Sequence, residues 1–124
     1  MLGDNSMRLT DSEWKITNCL WKHGPMTLTE LTKELLSSTG WTKHTIITLL
    51  KRMVEKGIVT FDQDGRTKRF YPVIDRTESE IEETTTFIDK VYDGNVGLMI
   101  SNLIGSEAFT EEQLNEIKKM IEEM

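Results

Sequence analysis

Trp41-Thr42-Lys43-His44-Thr45-Ile46-Ile47-Thr48-Leu49-Leu50-Lys51-Arg52-Met53-Val54-Glu55-Lys56-Gly57 is the stretch whose pattern fixes the reading of this chain. At 100° per residue, Ile46, Leu49, Leu50 and Met53 fall on one side of a helix and His44, Thr48, Lys51 and Glu55 on the other. Ile47 and Arg52 lie on the flanks. Thr42 is placed to cap the helix at its start and Gly57 to end it in the left-handed conformation. One face is therefore apolar, and the opposite face is polar, basic and opens with small residues.

Downstream the period changes. Residues 58–62 and 67–71 are short β-branched and aromatic runs joined across Gln63-Asp64-Gly65-Arg66, where Asp-Gly supplies the positive φ of a tight hairpin. Pro72 limits the second strand. Upstream, Thr10-Asp11-Ser12-Glu13 and Thr27-Leu28-Thr29-Glu30 read as capping boxes. The first predicts a helix over about residues 11–22 with Trp14, Ile16, Thr17, Leu20 and Trp21 on its buried stripe. The second opens a helix whose Leu28, Leu31 and Leu35 face inward, broken at Ser37-Ser38-Thr39-Gly40.

Beyond the hairpin a different kind of helix is expected at residues 77–92, with four glutamates in its opening turns and a stripe of Ile81, Thr84 or Thr85, Ile88 and Tyr92. Asp93-Gly94-Asn95 breaks it before a short apolar helix at residues 96–104. Phe109 then precedes a third box, Thr110-Glu111-Glu112-Gln113, and is placed to staple onto Leu114 at the head of a last helix.

The total composition points away from nucleic acid; its distribution points toward it. The chain has 124 residues, 15 Lys plus Arg against 21 Asp plus Glu, and a formal charge of −6. Up to Arg76 the balance is +3, and from Thr77 onward it is −9. Residues 41–71 hold seven cations (Lys43, Lys51, Arg52, Lys56, Arg66, Lys68, Arg69) against three acids, enough for a local field that attracts a polyanion. With 37% hydrophobic residues the chain is globular in composition. A single cysteine, Cys19, permits no intrachain disulfide and suits a reducing cytoplasm. No segment approaches the ~20 apolar residues of a membrane span, and residues 1–8 lack the apolar run of a signal peptide.

Two helices, a short turn and a basic helix are the logic of a helix-turn-helix whose second helix enters the major groove of double-stranded DNA. Lys43, His44, Ile47, Thr48 and Lys51 form the expected reading face, with Thr42, Thr45 and Arg52 beside them. Ile47 offers no hydrogen bond, but its methyls suit a thymine C5-methyl. Arg66, Lys68 and Arg69 make the hairpin a wing that grips phosphates. The three amphipathic helices of the acidic remainder present more apolar stripe than one domain of ~74 residues can bury, so it is expected to dimerise through Ile81, Thr85, Ile88, Tyr92, Val96, Met99, Leu103, Leu114, Ile117 and Ile121. A two-fold dimer implies a pseudo-palindromic operator. No catalytic constellation or cofactor loop is present, so an enzyme is not expected. Cys19 and His23 lie one helical turn apart, but two ligands do not make a metal site.

The fold class read from these residues is mostly α with a small β-hairpin: a winged helix-turn-helix DNA-binding domain at residues 1–74, then a helical dimerisation arm at residues 75–124. The competing reading is a winged-helix module that holds a protein partner and no DNA.

Ser12-Glu13-Trp14, Leu20-Trp21, the stretch from Trp41 to Met53, Glu55-Lys56-Gly57 and the hairpin through Tyr71 resemble the penicillinase and methicillin-resistance repressor family (BlaI/MecI type). The arm is similar too, in Phe87-Ile88-Asp89-Lys90-Val91-Tyr92. The resemblance implies a cytoplasmic, dimeric winged-helix repressor of a β-lactam resistance operon, relieved when a sensor-dependent protease cuts the arm. The cut it implies is Asn102-Leu103, although the family usually has a large apolar aromatic where this chain has Leu103. Ile47 also departs from a position that is often Arg or Gln in the family. The closing Ile121-Glu122-Glu123-Met124 lacks the cysteine-rich motif of the related copper-responsive repressors, so copper sensing by that motif is not expected.

Overall fold

A computed structural model describes residues 8–124; the signal-peptide reading of residues 1–8 falls almost wholly outside them. The chain forms two compact units, one closing at Glu80 and the other spanning Ile81–Met124. In the first, α1 (Asp11–His23), α2 (Leu28–Thr39) and α3 (Lys43–Glu55) precede an antiparallel hairpin of β1 (Val59–Asp64) and β2 (Thr67–Pro72). Ile16, Leu20, Leu31, Ile46, Leu50, Met53, Ile58 and Val59 are essentially inaccessible and form its core, with Phe70 reaching in from β2. Met26, in the α1–α2 connection, exchanges both backbone hydrogen bonds with Phe70 and so ties the first turn to the base of the hairpin.

Local chemistry places the ends of these elements. The Thr10 hydroxyl accepts the Glu13 N–H at 3.2 Å while Glu13 Oε1 accepts the Thr10 N–H at 2.9 Å, and Thr27 with Glu30 repeats the arrangement. At the end of α3 the Ile58 N–H donates to the Met53 carbonyl and the Gly57 N–H to the Val54 carbonyl, with Gly57 at φ +78°. That is the Schellman closure, which needs a left-handed residue at Gly57.

Four sequence expectations are corrected. The α2 helix runs through Ser37 and Ser38 to Thr39, because Ser38 and Thr39 donate their hydroxyls to the Leu35 carbonyl and only Gly40, at φ +69°, stops it. In the hairpin Asp64 still pairs with Thr67, so the loop is Gly65-Arg66, and Gly65 alone carries positive φ. Trp21 is half-buried at the rim, its ring 6.1 Å from that of Trp14 and 5.9 Å from the Arg76 guanidinium. The helix expected from residue 77 begins at Arg76, because the Asp75 carboxylate accepts the Glu78 N–H at 2.9 Å.

Glu13 is the least expected of the carboxylates, being fully buried. Lys56 Nζ donates to its Oε1 at 2.7 Å and to the Arg8 carbonyl at 3.1 Å, while Glu13 Oε2 has no hydrogen-bond partner among the described residues. Removing one partner of such a pair strands a charge, so Lys56→Ala should lower unfolding free energy by roughly 3 kcal/mol in urea denaturation. Lys56→Met combined with Glu13→Gln should recover most of that loss, since Gln keeps the capping oxygen. A loss for Lys56→Ala of under about 1 kcal/mol would reduce the pair to a surface contact.

The second unit is built differently. It holds the rest of α4 (Arg76–Tyr92), then α5 (Val96–Gly105) and α6 (Glu111–Glu122), and none of these three helices has a buried residue. Asn95 caps α5 by accepting the Leu98 N–H at 2.9 Å, and Thr110 with Gln113 forms the third capping box. Among the described residues, no helix is long and apolar enough to cross a membrane.

Candidate nucleic-acid interface

On α3 the predicted division of faces holds: Ile46, Leu50 and Met53 are buried, while Lys43, His44, Thr48, Lys51 and Arg52 are exposed. Thr42 is committed to the cap, its hydroxyl accepting the Thr45 N–H at 3.2 Å. Thr48 donates its hydroxyl to the His44 carbonyl at 2.9 Å, which leaves its oxygen lone pairs facing outward as acceptors. Ile47 is half-buried and lines a cleft of about 360 Å³ together with Thr27, Leu28 and Thr29 from the start of α2 and Arg66, Thr67, Lys68 and Phe70 from the wing. The cleft thus joins α3 to two wing cations.

The wing cations do not act as one group. Register pairs Lys68 with Gln63 and Arg69 with Asp62, so consecutive residues Lys68 and Arg69 lie on opposite faces of the ribbon, and Arg66 is in the loop. Lys68 Nζ sits 4.4 Å from the centroid of the Phe61 ring, itself packed 5.4 Å from Phe70. Arg69 Nη1 lies 3.5 Å from Glu30 Oε1. Of the seven cations counted over residues 41–71, Lys56 is spent on Glu13 and Arg69 faces Glu30; among the described residues Lys43, Lys51, Arg52 and Arg66 make no ion pair.

From its spacing Glu30 is legible only as a cap. The Thr27 backbone N–H, donating to its Oε1 at 2.8 Å, is the main reason its carboxyl stays below the ordinary range, with Arg69 a smaller contributor. Because the folded value is lowered, Glu30 is ionised at neutral pH, and its capping contribution is lost only as pH falls through that lowered value. Burial pushes the Cys19 thiol up, and its Sγ packs 3.7 Å from Met26 Sδ. His23 pairs with Glu34 at 2.9 Å, and the described residues contain no group of three metal-ligating side chains.

In the second unit Ile88, Tyr92, Met99, Leu103, Leu114 and Ile117 are half-buried, while Ile81, Thr85, Val96 and Ile121 are exposed. Reading one stripe per helix misses a further apolar set, Phe87, Val91, Leu98, Ile100 and Ile104, all exposed; Met120, read as an alternative to Ile121 on the last stripe, is exposed as well. Phe87 and Val91 are four residues apart on α4, and Ile100 and Ile104 four apart on α5, so each pair shares a face. Asn102 is exposed and Leu103 half-buried, both within α5.

Three helices followed by a hairpin, with a polar basic third helix, define the winged helix-turn-helix class. Within that class the chain belongs to the penicillinase repressor family, which it matches over residues 9–123. It is 28% identical over 116 residues to the penicillinase repressor of Bacillus licheniformis, covering 94% of this chain and 91% of that protein. The solution structure of the DNA-binding domain of the repressor BlaI is similar with a TM-score of 0.53 and 29% identity, over 61% of this chain and 93% of that one. The monomeric form of Bacillus licheniformis BlaI in complex with the blaP half-operator aligns with a TM-score of 0.51 and 31% identity, over 57% of this chain and 87% of that one.

Proposed function

We propose that this protein is a transcriptional repressor of β-lactam resistance type that acts in the cytoplasm as a homodimer on a pseudo-palindromic DNA operator. The observation that carries the reading is the exposed set Lys43, Lys51, Arg52 and Arg66, displayed by α3 and the wing loop and making no ion pair among the described residues. Phosphate contacts by Arg52, Arg66, Lys68 and Arg69 fix affinity and register, whereas Lys43, His44, Ile47, Thr48 and Lys51 face base edges. Thr42 and Thr45 hold the start of α3 in shape for that task. Support for a dimer comes from the second unit, whose helices bury nothing and expose a run of large apolar side chains that a second copy would cover. The −9 balance of the chain from residue 77 onward repels DNA and leaves the duplex to the basic face.

Selection from a random duplex pool tests this directly. The full chain should enrich an inverted repeat whose half-sites are centred about one helical turn apart, or a multiple of it. Recovery of no enriched sequence, with a protein partner captured through α3, would favour the protein-interaction module instead.

Release of the operator is proposed to follow a cut at Asn102-Leu103. A protease needs an extended chain, and α5, with no buried residue, opens at low cost. Incubation with the activated sensor system followed by mass spectrometry should yield a fragment ending at Asn102; an intact chain would require another route of induction.

A further inference from the structure

Among the described residues, Arg69 is the one cation of the proposed DNA face that already has an acidic partner from another element. Its Nη1 stands 3.5 Å from Glu30 Oε1, with both side chains about half exposed (53% and 55%). An exposed pair of this kind is weak and readily exchanged. The carboxylate, by contrast, does not swing away, because the same Oε1 accepts the Thr27 N–H at 2.8 Å and the Thr27 hydroxyl accepts the Glu30 N–H at 3.1 Å. Thr27, Leu28 and Thr29 in turn line the cleft that Ile47, Arg66 and Lys68 share. A negative charge is thus fixed beside the surface where phosphates are proposed to bind, and one wing arginine is held by it.

We infer that Glu30 is an affinity-setting residue: it holds Arg69 in the free protein and competes with an operator phosphate for that guanidinium. This rests on the operator-binding reading above. An approaching phosphate must draw Arg69 off Glu30 and then remain near a carboxylate that the cap keeps in place. The carboxylate therefore limits affinity and makes binding reversible, and its removal strengthens the complex, the opposite of the usual effect of deleting an interaction.

The test is a fluorescence-anisotropy titration of the selected duplex with the full chain, comparing wild type, Glu30→Gln, Arg69→Ala and the double variant. Glutamine keeps the capping oxygen, and this chain already uses Gln113 in the same role at α6, so the fold is retained. Glu30→Gln should bind about three- to tenfold more tightly near 0.1 M salt, with the gain shrinking as salt rises. In the Arg69→Ala background the same substitution should gain less than about twofold. Equal or weaker binding by Glu30→Gln would overturn the inference, as would an equal gain in both backgrounds, which would reduce Glu30 to a general repulsive charge. Failure of the wild-type chain to bind any duplex in a salt-dependent way would refute the operator reading itself and remove the basis of the inference.

Discussion

Ile100→Asp combined with Ile104→Asp is expected to give a monomer by sedimentation equilibrium, with operator affinity lowered by about two orders of magnitude or more. These side chains are 40% and 50% exposed in the single chain, so aspartates there are solvated in a monomer and leave the first unit's core untouched. In a dimer seam the same aspartates lose water without gaining partners, at a cost of several kcal/mol. Loss of the second copy turns a two-site attachment into a one-site attachment and removes an avidity of roughly 10²–10⁴. Binding to an isolated half-site should persist at its own lower affinity. A variant that still sediments as a dimer would remove α5 from the seam and direct attention to Phe87 and Val91 on α4.

The parts of this molecule that depend on neighbours in sequence are legible in the sequence, and the parts that depend on distant ones are not. Thr10, Thr27 and Thr110 are recognisable as caps because a capping box is closed by a residue three positions away. The faces of α3 follow from its period, and Gly57 from the need to leave a helix in the left-handed region. Glu13 shows the other side: it caps α1 as its spacing predicts, yet its burial depends on Lys56, 43 residues away, which no local pattern discloses.

The same limit applies to the candidate site. Counting charge over residues 41–71 treats all seven cations alike, whereas the fold spends Lys56 internally and sets Arg69 against a helix cap. Alternation along β2 does separate Lys68 from Arg69, so that division follows from the hairpin register once the two-residue loop is known. Asp75 escapes notice as a cap because the glutamates after it suggest that the dipole alone starts α4. In the second unit the stripes name only part of the apolar surface: Ile88, Tyr92, Met99, Leu103, Leu114 and Ile117 are half-buried as such stripes suggest, while helices with no buried residue also expose Phe87, Val91, Leu98, Ile100 and Ile104.

The most direct test of the central claim is the salt dependence of operator binding by Arg52→Ala combined with Arg66→Ala. Both side chains are exposed and neither makes an ion pair among the described residues, so their removal leaves the core intact and isolates the contribution to DNA. Removing one phosphate-neutralising cation lowers the slope of log Kobs against log salt by about 0.9, so the pair, lost from both copies of the dimer, should reduce its magnitude by roughly 3.6. Affinity at about 0.1 M salt should fall roughly 1,000-fold or more, similarly for the selected repeat and for unrelated duplexes, because phosphate contacts carry no sequence information. An unchanged slope with unchanged affinity would contradict the claim that α3 and the wing loop form the DNA-binding face.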